Sequence, residues 1–117
     1  LPDKSVLDLW RLQEAFEDDT AGIAELLEMA METGRKHRAS LEEGLASGDA
    51  SVVARAAHGI KGSAGTIGAT TVYALAAELD QRARTGDLDG ARERIDAIGD
   101  AYARVEEEVR TYRATVT

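Results

Sequence analysis

The chain contains no cysteine among its 117 residues, which excludes a disulfide framework and thiolate metal sites and suits a reducing compartment. Any metal would have to be held by carboxylates and the two histidines. The single proline is Pro2, so no ring interrupts a helix further along. Positive charge is scarce: 14 Lys and Arg stand against 22 Asp and Glu, for a net charge of −8 and a pI near 4.7. That balance argues against nucleic acid or an anionic membrane as a partner. No apolar run is long enough to span a bilayer and no signal-peptide pattern is present, so a cytoplasmic location is expected. The length fits one domain over residues 1–117, large enough to bury about two thirds of its unfolded surface without staples.

What remains is rich in Ala, Leu, Glu and Arg and nearly free of β-branched runs, which is a helical composition. A short first helix is expected after Asp3 or Ser5, burying Val6, Leu9, Trp10 and Phe16. Asp18-Asp19-Thr20 ends it and caps a second helix over about 21–46, with Ile23, Leu27, Ala30, His37, Leu41 and Leu45 at helical spacing. Ser47-Gly48-Asp49 then stops and restarts the chain. The third helix, about 50–64, carries Val53, Ala56, Ala57, Ile60 and Ala64 on one stripe, and 65–68 loosens the chain. A fourth runs from about Thr70 to Arg84, burying Val72, Leu75, Ala76 and Leu79. Beyond Thr85-Gly86-Asp87, the positions Leu88, Ala91, Ile95, Ile98, Tyr102, Val105, Val109, Tyr112 and Val116 step alternately by three and four, a heptad seam on one long helix. The expected fold is all-α: an antiparallel up-and-down four-helix bundle with an additional short N-terminal helix.

The stretch from His58 to Gly68 reads His-Gly-Ile-Lys-Gly-Ser-Ala-Gly-Thr-Ile-Gly. On a helix, His58, Lys61, Gly62 and Gly65 share one face. His58 lies about 200° around the wheel from Ile60 and so points away from the core. Each helical glycine costs about 1 kcal/mol relative to alanine. Two of them beside an imidazole remove bulk where another molecule's surface would approach, which suggests chemistry with a macromolecular partner.

This motif resembles that of the histidine-containing phosphotransfer (HPt) domain of bacterial multistep phosphorelays, His-x-x-Lys-Gly-[Ser/Ala/Gly]-[Ala/Ser]-x-x-x-Gly. Every defined position matches, from His58 through Lys61, Gly62, Ser63 and Ala64 to Gly68. Arg55-Ala56-Ala57 also looks like the family, as does Leu79-Asp80, where the family usually has Leu-Glu. The resemblance implies that His58 accepts a phosphoryl group from a receiver-domain aspartyl phosphate and passes it to another receiver's aspartate. Histidine, with an ordinary pKa of about 6.5, is the residue type that offers a neutral ring nitrogen at cellular pH. Lys61 would offset phosphoryl charge, while Gly62, Gly65 and Arg55 would form the docking surface. No cofactor belongs to the chain itself; the receiver would bring an acidic pocket and Mg²⁺. Asp80 stands where the family's glutamate can orient the histidine, so the resemblance offers it the same role; it is one methylene shorter, which leaves a direct contact, a water-bridged one and no contact all open.

Simpler readings compete at several positions. Asp80 reads most simply as a solvated residue flanking Leu79, Arg55 as a solvated arginine, and Gly68 equally well as a helix terminator. His37 reads as a boundary histidine without chemistry. The Arg and Glu runs of the last helix are its wet face, and the bundle is expected to be complete as a monomer. The phosphorelay carrier, free-standing or part of a hybrid kinase, leads. An alternative is the N-terminal phosphotransfer domain of a chemotaxis-type kinase, whose site often reads like the Lys-Gly-x-x-Gly-Thr-x-Gly of Lys61 to Gly68. A non-catalytic docking or dimerisation bundle is a third reading. An independent hydrolase fails for want of a ligand set, an acid–base pair or a nucleotide loop.

Overall fold

Three aspartates set where helices begin. Asp8 accepts from the Arg11 amide at 3.2 Å, Asp19 from that of Gly22 at 3.1 Å, and Asp49 from those of Ser51 and Val52 at 3.1 and 3.3 Å. Each satisfies amides that lack an intrahelical partner. In the computed structural model, which describes residues 5–116, they open α1 (Leu9–Ala15), α2 (Thr20–Ser47) and α3 (Ala50–Ile67). The last two helices are α4 (Thr70–Arg84) and α5 (Ala91–Val116). The N-cap of α4, Ala69, has no side-chain cap. Its entry is held instead by the Ser5 carbonyl, which accepts from Thr70 Oγ1 at 3.1 Å and from the Thr71 amide at 2.9 Å.

Short connections make successive long helices antiparallel neighbours. α3 packs against α2 and α4, and α5 closes the bundle against the same two helices. The result is an up-and-down bundle 43 Å long and 20 Å across. The heptad seam forms its inner stripe on α5: Ala91, Ile95, Ile98, Tyr102, Val105, Val109 and Tyr112 are buried. Leu88 precedes the helix and, like Val116, is partly buried.

Two expected boundaries move. Asp3 lies outside the described residues and Ser5 sits in a turn, so α1 begins later, behind Asp8. With only seven residues, α1 has one narrow contact face. Leu12, with Leu7 just ahead of the helix, is buried, while Trp10 is 63% and Phe16 36% exposed. The third helix does not loosen at 65. It runs on to Ile67 and stops where Gly68 adopts φ +75°, with the Ala69 amide bonded back to the Ala64 carbonyl at 2.9 Å. This is a glycine helix stop, in a backbone conformation that side chains disfavour.

One close helix contact depends on a missing side chain. A Cβ at Gly34 on α2 would lie 2.7 Å from the ring of Tyr102 on α5. That ring is buried, with its phenol pushed up to about 12 by burial, and the Arg38 guanidinium stacks 4.9 Å from its centroid. Gly34→Ala gains about 1 kcal/mol of helix propensity but loses about 1–3 kcal/mol to overpacking. A lowered urea midpoint is the expected outcome.

Candidate functional site

α3 has two opposite faces. Ala57, Ile60 and Ala64 are buried, whereas the His58 side chain is 68% exposed, as the wheel requires. Across a groove from it stands Asp80 on α4. Ala76, Asp80 and Ala83, at i, i+4 and i+7, are all buried and share a face of α4.

Asp80 is therefore not the solvated residue that its place beside Leu79 suggested: it is 3% exposed. Small residues explain how the shorter carboxylate reaches the ring. The groove between α3 and α4 is floored by Ala54 and Ala83 and walled by Arg55, His58, Asp80 and Arg84. His58 Nδ1 comes within 3.4 Å of Asp80 Oδ2 with nothing longer than aspartate required. That separation is long for a hydrogen bond and sets the ring nitrogen directly beside the carboxylate. The same Oδ2 accepts from Arg84 Nη2 at 2.5 Å. Arg84 belongs to the site and was not singled out in the sequence. Its spacing of four from Asp80 was the available signal.

The glycines divide by what surrounds them. A Cβ at Gly62 would meet nothing within 4 Å, so no contact inside the molecule requires a glycine there. At Gly65 it would make an ordinary 3.5 Å contact with the ring of Tyr73, an exposed aromatic on α4. Lys61 leans the same way, its Nζ 5.9 Å from that ring's centroid. His58, Asp80 and Arg55 thus line one groove, with Lys61 and Gly62 one turn further along the same face of α3 and Gly65 beside Tyr73.

Gly59 was overlooked in the sequence. A Cβ there would come within 2.5 Å of the His37 ring, so α3 offers bare backbone to a half-buried histidine of α2. Only the register between the two helices reveals this packing role. At the far end of α3, Arg11 Nη2 donates to the carbonyls of Gly65 at 3.0 Å and Thr66 at 3.3 Å, supplying the cation that the last turn of α3 lacks.

Among the described residues no helix is long and apolar enough to cross a membrane, and no group of three or more His, Cys, Asp or Glu is arranged to hold a metal ion. A comparison with curated protein sequences gives no significant match. Among solved structures, the chain is similar to the crystal structure of histidine-containing phosphotransfer protein B (HptB) from Pseudomonas aeruginosa PAO1. The TM-score is 0.83 and the identity 28%, over 98% of this chain and 95% of that one. Residues 25–108 match the family described as the Hpt domain, a span that holds the exposed histidine, its carboxylate and all of α3 and α4. The chain belongs to the Hpt domain family, whose members carry out histidine phosphotransfer in two-component signalling and interact with receiver domains.

Proposed function

We propose that His58 is the phosphoacceptor and that the chain shuttles phosphoryl groups between the aspartates of receiver domains. The observation that carries this reading is an exposed imidazole whose Nδ1 faces the buried Asp80 carboxylate. With the proton held on Nδ1, the lone pair of Nε2 attacks the phosphorus of a receiver's aspartyl phosphate. The N–P bond forms as the P–O bond breaks, and the aspartate leaves with the electron pair as a carboxylate. No proton need move. The ring ends as a phosphorylated imidazolium, and Asp80 stabilises the positive charge that develops there, so its interaction is stronger in the transition state than before it. The reverse sequence delivers the group to the next aspartate.

Lys61, Arg55, Gly62 and Gly65 complete the reading. Lys61 offsets charge on the phosphoryl oxygens, and Arg55 meets the acidic rim of the receiver. Gly62 and Gly65 keep the approach low. The Mg²⁺ that phosphoryl transfer employs is assigned to the receiver, and the chain acts in the cytoplasm as a monomer. The test is to mix it with phosphorylated receiver domains, with ATP alone and with a chemotaxis-type kinase domain, and to map acid-labile phosphate by mass spectrometry. Label on His58 that depends on a receiver is expected. Label from the kinase domain but from no receiver would replace the carrier with the chemotaxis-type alternative.

Gly62 gives a second check, because its effects on folding and on transfer have opposite signs. Gly62→Ala should stabilise α3 by about 1 kcal/mol, since the new methyl group meets open space. It should also slow phosphoryl uptake by about tenfold or more, given that an ångström of misplacement commands about 100-fold. A variant that melts higher and transfers as fast as the parent would remove Gly62 from the docking surface.

A further inference from the structure

One carboxylate oxygen at the site faces two side chains, an imidazole and a guanidinium. Asp80 Oδ2 lies 3.4 Å from His58 Nδ1 and 2.5 Å from Arg84 Nη2, and the side chain that carries it is only 4% exposed. We propose that Arg84 is a positioning residue for phosphotransfer: it neutralises Asp80 enough that the carboxylate orients the His58 ring without holding it as an imidazolium. The proposal rests on His58 being the nucleophile.

The reasoning is electrostatic. A buried carboxylate with no other cation would favour a second proton on the neighbouring imidazole, and a doubly protonated ring has no lone pair at Nε2. Such a site would be well aimed but inert. Arginine is permanently charged and binds carboxylates with fixed geometry. From the next turn of α4, Arg84 compensates Asp80 while leaving Oδ2 directed at Nδ1. The other charged side chain lining the groove is Arg55 on α3, and Lys61 stands one turn beyond His58 on the same helix, over Tyr73. Both are cations and work in the same direction, but neither is paired with Asp80 in the structure. No residue of α2 or α5 lines the groove.

Arg84 is itself 64% exposed at the groove's edge, so a role in receiver docking is the competing explanation. The two separate cleanly in the full chain through Arg84→Gln, Arg84→Lys, Asp80→Asn and the double variant, read by imidazole ¹⁵N spectra and by phosphoryl uptake at saturating receiver. At neutral pH, Arg84→Gln should shift the His58 nitrogens toward the imidazolium pattern, with His37 as internal reference. It should also slow uptake by about tenfold, the effect of about 1.4 kcal/mol on the protonation balance, and uptake should recover as the pH is raised. Arg84→Lys should resemble the parent. In the Asp80→Asn background, Arg84→Gln should do nothing further, because no carboxylate remains to compensate.

Unchanged nitrogens in Arg84→Gln, a defect confined to subsaturating receiver, or a defect that persists beside Asp80→Asn would each overturn the proposal. If the parent chain takes no phosphate at His58 from any donor, the underlying reading falls and takes the role of Arg84 with it. Intact uptake with unmoved nitrogens counts against Arg84 alone.

Discussion

His58→Gln is expected to reduce phosphoryl uptake from a phosphorylated receiver by at least about 1,000-fold, because an amide nitrogen is no nucleophile and the acceptor is the reaction's only covalent contribution from this chain. The fold should not register the change. The side chain is 68% exposed, and surface replacements away from caps and packing contacts move stability by about 0.5 kcal/mol or less. A melting curve superimposable on the parent's, together with loss of label, is the expected pair of results. Label of undiminished intensity on another residue, such as His37, would move the acceptor elsewhere.

Two residues along the same helix the expectation inverts. Ile60 is fully buried on the opposite face of α3, where the helix packs against α2 and α4. Ile60→Ala removes apolar surface and leaves a cavity that a bundle packed on several sides cannot fully collapse, at a cost of about 2–5 kcal/mol. Against a domain stability of about 5–15 kcal/mol, this is a loss that urea unfolding would measure directly. Uptake per folded molecule should stay close to the parent's, since nothing within the groove is touched. A midpoint shift equivalent to less than about 1 kcal/mol would show that Ile60 is not the packing centre its burial indicates.

The contrast between these residues was readable from the sequence because both depend on angular position within one helix, and the period of 3.6 fixes that. The same periodicity located α4 at Thr70–Arg84 and the buried stripe of α5. Elsewhere, two elements had to meet before the answer existed. Trp10 sits in a helix too short for its pattern to choose a face, and the contacts of α1 with its neighbours chose Leu12 instead. Asp80 looked solvated beside Leu79. Its burial follows from how closely α4 approaches α3, and its tolerance there follows from Arg84 one turn away and His58 across the groove. Gly59 reads as one more glycine in the motif until the α2–α3 register brings His37 against it.

The bond from Arg11 to the carbonyls that close α3 spans 54 and 55 residues of sequence and bears on how this domain can be moved between proteins. The span matched to the family begins at residue 25, inside α2, and a graft cut there would discard α1. The transplanted module would keep its histidine, its carboxylate and its groove, yet the site helix would lose the guanidinium at its last carbonyls and keep only the Gly68 stop, and the entry to α4 would lose the Ser5 carbonyl that holds Thr70 and Thr71. A chimaera intended to rewire signalling must therefore carry the short leading helix as part of the portable unit, although that helix contributes no residue to the chemistry.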